Sequence, residues 1–313
     1  MSGKTPGNIA ASVRQRLLNK ARSDQRPFSE LLQYYAMERF LYRLSKSPHA
    51  NRFILKGALM LRAWRSPEFR STMDIDLLGK TDNDEAGIVV QIRDILAVVV
   101  PSDGLVFDQA FIRAQRITED ADYEGIRIRF RGVLGSARVN MQIDIGFGDI
   151  VFPGPEKTDL PVILDLPAPR LLCYSRESTI AEKFEAMVKL DELNSRMKDF
   201  YDIWLLSRQF DFEGEKLAEA IRLTFDRRGT ALPAEAVAFT KDFIDVKQAQ
   251  WKAFIKKLKQ DHVPTSFADI AAAVSAFLGP LTVALSNGTA IPARWNAPGP
   301  WNRKPLFGGN ARI

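Results

Sequence analysis

Met73-Asp74-Ile75-Asp76-Leu77 alternates apolar and acidic side chains. A β-strand points successive side chains to opposite faces, so this spacing predicts a strand whose Met73, Ile75 and Leu77 pack inward while Asp74 and Asp76 project together. Two neighbouring carboxylates repel unless water or a cation lies between them. A hard divalent ion such as magnesium suits the pair, because it keeps several waters and borrows few protein oxygens. Just upstream, Lys56-Gly57-Ala58 separates Phe53-Ile54-Leu55 from Leu59-Met60-Leu61. A glycine there lets backbone amides approach a ligand, as phosphate-binding turns do.

Downstream the alternation returns twice. In Gly125 to Arg131, Ile126, Ile128 and Phe130 share one face and Arg127, Arg129 and Arg131 the other. This arginine face is either a wet side of a sheet or a surface for phosphates of a nucleotide or nucleic acid. After a turn at Gly132 to Ala137, Val139, Met141, Ile143 and Ile145 face inward, with Asn140, Gln142 and Asp144 opposite. Hairpin pairing would set Asp144 in the same sheet as Asp74 and Asp76. Three strand-borne carboxylates are what two-metal phosphoryl transfer asks for.

The remainder reads as helices. Residues 7 to 47 hold two helical apolar stripes, broken at Pro27, and Glu85 to Val100 forms a third, entered through Thr81 to Asp84. A proline-rich stretch, 151 to 170, makes a crossing between domains. Thr179-Ile180-Ala181-Glu182 matches a capping box that would open a helix carrying Lys183. A second helix follows Ser195, with Asp199 and Asp202 three residues apart. Further helices are expected over Gly214 to Asp226, Pro233 to Phe239, Lys247 to Lys259 and Phe267 to Leu278. The last residues, from Leu281, hold Gly, Pro, Asn and Arg with Trp295 and Trp301, and show neither helical nor strand period. That tail is expected either to drape over the body by its tryptophans or to stay loose.

Composition narrows the chemistry. One cysteine, Cys173, excludes an intrachain disulfide, and two histidines far apart, His49 and His262, give no zinc set or Ser-His-Asp arrangement. Carboxylate chemistry is what remains. No signal peptide and no membrane span is expected, which with the lone cysteine predicts a cytoplasmic protein. The net charge of +6 gathers at the ends: residues 1–26 carry Lys4, Arg14, Arg16, Lys20, Arg22 and Arg26 against Asp24, and Arg294, Arg303, Lys304 and Arg312 face no acid after residue 281. Such a bias either suits a polyanion or an acidic protein or merely solubilises loose termini.

Three separated signatures resemble the AbiEii/AbiGii-type nucleotidyltransferases, the toxin halves of type IV toxin–antitoxin and abortive-infection systems. They are Leu55-Lys56-Gly57 leading to Arg70-Ser71-Thr72-Met73-Asp74-Ile75-Asp76-Leu77; Ile143-Asp144-Ile145; and Glu182-Lys183-Phe184-Glu185-Ala186 followed by Arg196-Met197-Lys198-Asp199-Phe200-Tyr201-Asp202-Ile203. The resemblance implies an α+β fold: a polymerase-beta-like core, a mixed sheet with helices, over residues 51–170, after N-terminal helices (1–50). A helical domain (171–280) and the tail (281–313) would follow. It further implies that Asp74, Asp76 and Asp144 ligate magnesium, or manganese, and that Asp144 helps deprotonate the acceptor. Lys183 would hold the triphosphate with Asp199 beside it, while Lys56, Gly57, Ala58 and Thr72 would line the nucleotide. The reaction expected is transfer of a nucleoside monophosphate from an NTP to an acceptor such as the 3′ end of tRNA, with a cognate antitoxin as partner. A small-molecule or protein acceptor, or nucleotide binding without turnover, are the alternatives. Ala58 and Leu59 depart from the family, which usually has a second glycine and a hydroxyl residue there.

Overall fold

Helical spacing at the start of the chain becomes α1 (Ile9–Ser23), capped by the Asn8 side chain, and α2 (Phe28–Lys46). The strand β1 (Phe53–Lys56) leads through a turn into the short α3 (Leu59–Ala63), then β2 (Ile75–Gly79) and α4 (Glu85–Ala97). Three long or medium strands follow, β3 (Leu105–Thr118), β4 (Glu124–Leu134) and β5 (Ala137–Phe147), and two short ones, β6 (Glu156–Asp159) and β7 (Arg170–Cys173). Five helices make up most of the rest: α5 (Arg176–Leu190), α6 (Met197–Gln209), α7 (Gly214–Arg228), α8 (Lys241–Leu258) and α9 (Phe267–Asn287). Two-residue strands β8 (Phe212–Glu213), β9 (Arg294–Trp295) and β10 (Trp301–Asn302) complete the order. The computed structural model describes residues 8–66, 70–118 and 124–302. It divides into two compact units, Met1–Asp149 with Pro155–Tyr174, and Ile150–Gly154 with Ser175–Ile313.

The first unit is a seven-stranded mixed sheet in the order β3-β4-β5-β2-β1-β7-β6. β2 runs parallel to β5 and antiparallel to β1, while β4 and β5 form the expected hairpin. Helix α2 is buried from Leu31 through Leu44, and its Phe40 meets Phe107 and Phe130 of the sheet. Its polar residues there have designated partners. Arg43 donates to both oxygens of Asp103, at 2.7 and 3.2 Å, and the Tyr35 hydroxyl donates to the Asp103 carbonyl at 2.6 Å. Buried charge is tolerated only with such pairing.

The second unit packs α9 against α6, α7 and α8, with Phe200, Phe243, Trp251 and Phe267 in contact. Among the described residues α9 is the one helix long and apolar enough to cross a membrane, against the expectation that no segment would be. Here Phe267, Ile270, Val274, Phe277 and Leu281 are buried within the unit. The described part of the tail drapes: β9 pairs with β8 and β10, and Trp295 is 4% exposed. Its indole N–H donates to the Ser207 carbonyl at 2.6 Å, and that of Trp301 to Phe277 at 2.8 Å. Residues Lys4, Pro67, Glu68, Arg303, Lys304 and Arg312 lie outside the described residues.

Several local expectations change. Helix α8 starts at Lys241, ahead of the expected Lys247, and α9 runs through Pro280 to Asn287, so residues 281–287 of the expected tail are helical. Asp74 lies one residue before β2 and Met73 is 51% exposed, because the Thr72 hydroxyl bonds the Asp74 backbone and pairing with β5 starts only at Ile75. The cap of α5 is Ser175, whose hydroxyl accepts from Ser178 N–H at 3.0 Å; Thr179 already lies in the helix, donating to the Ser175 carbonyl. Residues 233–239 make only a 3-10 turn at Val237–Phe239, since Thr240 is extended and caps α8. Helix α4 stops at Ala97, three residues early, at Val98 with extended ψ.

Candidate active site

One level of the sheet carries four charges across four strands. Arg127 on β4 stands opposite Asp144 on β5, Asp144 opposite Asp76 on β2, and Asp76 opposite Lys56 on β1. Directly opposed residues share a face, with neighbouring strands about 4.8 Å apart. The two acids at the centre of the row are therefore flanked by a cation on each side. Arg127 holds Asp144 in a two-pronged hydrogen bond, 2.7 Å to each carboxylate oxygen. Such a fork is both strong and directional. Lys56 donates to Asp149, at 3.0 Å, and lies 5.2 Å from the centre of the Tyr174 ring.

Beside this row the chain makes a close approach. Gly57 has φ +72°, and a Cβ added there would stand 1.9 Å from Asp76 Oδ2. Only glycine fits, both for its conformation and for the carboxylate packed against it. Asp74 sits at the entrance to β2, and α2 steadies that entrance. Gln33 donates to the carbonyls of Met73, at 2.9 Å, and Asn140, at 3.2 Å, and the Tyr34 hydroxyl accepts from Thr72 N–H at 3.0 Å. Ala58 is buried, and Thr72 is tied to the Asp74 backbone.

In the second unit α5 and α6 bring another set together. The Lys183 ammonium lies 2.8 Å from both Asp199 and Asp202, and Arg196 Nε lies 2.7 Å from Asp199 Oδ2 without hydrogen-bond alignment. Burial opposes ionisation of Asp199, but Lys183 and Arg196 outweigh it and hold the carboxyl below the usual aspartate range. Its place in the first turn of α6 adds a favourable helix dipole.

Seven predicted residues, Lys56, Gly57, Ala58, Thr72, Asp74, Asp76 and Asp144, thus fall in the first unit, and Lys183 and Asp199 in the second. Sequence reasoning passed over Asp149, Gln33, and Arg127 as the partner of Asp144. Asp149 had a signal, an acid just past the end of β5; Gln33 had none, being one polar residue in an apolar helical stripe. For a divalent ion, Asp76 and Asp144 offer hard oxygens on one face with Asp74 adjacent in the chain, which suits magnesium. Among the described residues no three acidic, histidine or cysteine side chains gather into a closed set, and both oxygens of Asp144 are held by Arg127. The donors therefore fit an ion that keeps most of its waters.

The family model for the nucleotidyl transferase AbiEii toxin of type IV toxin–antitoxin systems matches residues 39–273. No curated protein matches. Two solved structures do. One is described as a candidate nucleotidyltransferase from H. pylori, 14% identical, covering 83% of this chain and 98% of its own, with TM-score 0.47. The other is JHP933 from Helicobacter pylori, 12% identical, covering 80% and 92%, with TM-score 0.46.

Proposed function

Since this chain belongs to the AbiEii family of nucleotidyl transferase toxins, we propose that it moves a nucleoside monophosphate from an NTP to the 3′ end of tRNA and so blocks translation. Membership of a type IV system implies a cognate antitoxin. The observation that carries the chemistry is the facing of Asp76 and Asp144 on adjacent parallel strands, with Gly57 closed against Asp76. In the reaction the acceptor hydroxyl oxygen bonds to the α-phosphorus, the bond from that phosphorus to the bridging oxygen breaks, and pyrophosphate leaves. Such transfer needs positioning and charge neutralisation more than covalent help.

Each residue then has a task. Asp74 and Asp76, with Asp144, would hold magnesium or manganese, which when bound neutralises phosphate charge and acidifies the attacking hydroxyl. Asp144 takes the hydroxyl proton once an Arg127 hydrogen bond is exchanged. Gly57, closed on Asp76, would present backbone amides to phosphate oxygens, with Lys56, Ala58 and Thr72 around the nucleotide. By resemblance Lys183 holds phosphates and Asp199 orients its ammonium. The fold class proposed for the first unit is the polymerase-beta-like core, with the second as its helical companion.

The test is incubation of the protein with each radiolabelled NTP, magnesium and total RNA. Label in tRNA is expected, lost with Asp74→Ala and with Lys183→Ala while each variant keeps its urea midpoint within a small margin. Label confined to protein or small molecules would replace the acceptor. An unlabelled mixture with every NTP, or an Asp74→Ala variant working at the wild-type rate, would refute the assignment.

A further inference from the structure

On the β4 side of the carboxylates the first unit has a cleft of about 390 Å³, lined by Gln33, Asp74, Phe111, Arg129, Arg131 and Gln142 among others. Its charge is unusual. Three arginines share this face of β4, and only Arg127 is neutralised by an acid. Arg129 meets two neutral amides, Gln142 at 3.2 Å and Gln115 at 3.3 Å. Arg131 lies over the Phe111 ring, its guanidinium carbon 3.8 Å from the ring centre. Among the described residues neither guanidinium has a carboxylate partner. Two like charges held side by side cost free energy that an anion recovers.

We propose that this cleft is the subsite for the acceptor strand, a single-stranded RNA end whose phosphates lie on Arg129 and Arg131. The inference rests on the nucleotidyl-transfer reading and adds to it where the acceptor lies. Distance separates this site from the phosphate position at Gly57. From β1 across β2 and β5 to β4 is three strand spacings, about 14 Å, too far for one triphosphate to sit in both. Residues two apart on β4 lie about 6.8 Å apart, the order of the spacing between successive phosphates in an extended strand. Arg131 has a second use. Phe111 holds its guanidinium in place, where a base can stack upon it as unpaired RNA bases do on arginine. Phe111 reaches this position because the β3–β4 register shifts between Asp108 and Arg113. Gln33 holds the floor by bonding the Met73 carbonyl ahead of β2 and the Asn140 carbonyl of β5, and Asp74 marks where the terminal hydroxyl comes in.

Fluorescence anisotropy with a short 5′-fluorescein single-stranded oligoribonucleotide, titrated at several KCl concentrations, tests this in the full chain. The double variant Arg129→Gln/Arg131→Gln should bind RNA at least about tenfold more weakly, and its log–log salt slope should fall by about 1.4, since each single-strand phosphate contact contributes about 0.7. Arg129→Lys/Arg131→Lys should restore the slope. Affinity for a fluorescent ATP analogue and the urea midpoint should stay at wild-type values in both. Unchanged RNA affinity in the glutamine variant, or a loss of ATP-analogue affinity in place of RNA affinity, overturns the proposal. The transfer assay on the same proteins tells the two readings apart. Wild-type labelling of RNA with an unchanged RNA KM in the glutamine variant removes the acceptor cleft alone; no transfer by the wild type to any acceptor removes both.

Discussion

Gly57→Ala offers a direct probe of the geometry beside Asp76. The added methyl would stand 1.9 Å from Oδ2, 2.6 Å from Cγ and 2.8 Å from Cβ of Asp76, on a backbone with φ +72°. A left-handed conformation costs a non-glycine residue about 1 to 2 kcal/mol. Turning the Asp76 side chain out of its rotamer costs about 1 kcal/mol more. The variant should therefore stay folded and lose about 2 to 3 kcal/mol, read from urea denaturation. Transfer should fall about a hundredfold, because a displacement near 1 Å is enough at a reacting centre. A double-mutant cycle separates the two costs. With Asp76→Ala the carboxylate is gone and only the backbone cost and the Cβ contact remain, so Gly57→Ala should cost about 1 kcal/mol less there. Equal costs in both backgrounds would show that Gly57 and Asp76 do not touch, and the close approach at the centre of the site would fall with them.

Other expectations follow from the same structure. Asp199→Asn leaves Lys183 and Arg196 short of a buried acid and should destabilise by about 3 kcal/mol. Because Asp199 titrates below its ordinary value of 3.8 when folded, its contribution is full above that value and is lost as pH falls through the lower folded one. Urea midpoints between pH 6 and pH 3 should accordingly fall less steeply in the variant than in the wild type. Cys173, whose thiol burial pushes up to about 12, should resist iodoacetamide at pH 8 in the native protein and react in urea; native labelling at the unfolded rate would contradict its burial. Trp295→Ala should cost about 3 to 5 kcal/mol, since its ring packs on Phe277 and Trp301 and its N–H bonds Ser207. A thermal midpoint unchanged in that variant would mean the tail does not dock.

Periodicity alone settles a good deal of this protein. The alternation in Gly125 to Arg131 and in Val139 to Ile145 specifies which side chains share a face, and the structure keeps that assignment, because a strand has no other way to sort apolar from polar residues. The order of the main helices was legible for the same reason, but the short strands β6 to β10 were not. Caps and strand ends were less so. Ser175 and Thr179 are both competent caps, and the choice fell to Ser175 through the hydroxyl contacts it makes, with Ser178 N–H and with Phe152 O. Asp74 leaves the strand for a similar local reason, the hydroxyl of Thr72.

Strand order and partnership were decided only by the tertiary fold. Nothing in the local pattern says that β2 lies between β1 and β5, yet this order is what sets Arg127, Asp144, Asp76 and Lys56 on one level. Nor does it say that Arg127 is neutralised while Arg129 and Arg131 are not, or that Asp149 takes Lys56. Spacing along a chain encodes the direction of each side chain. Which charge it meets depends on long-range pairing, and long-range pairing is a property of the whole sheet.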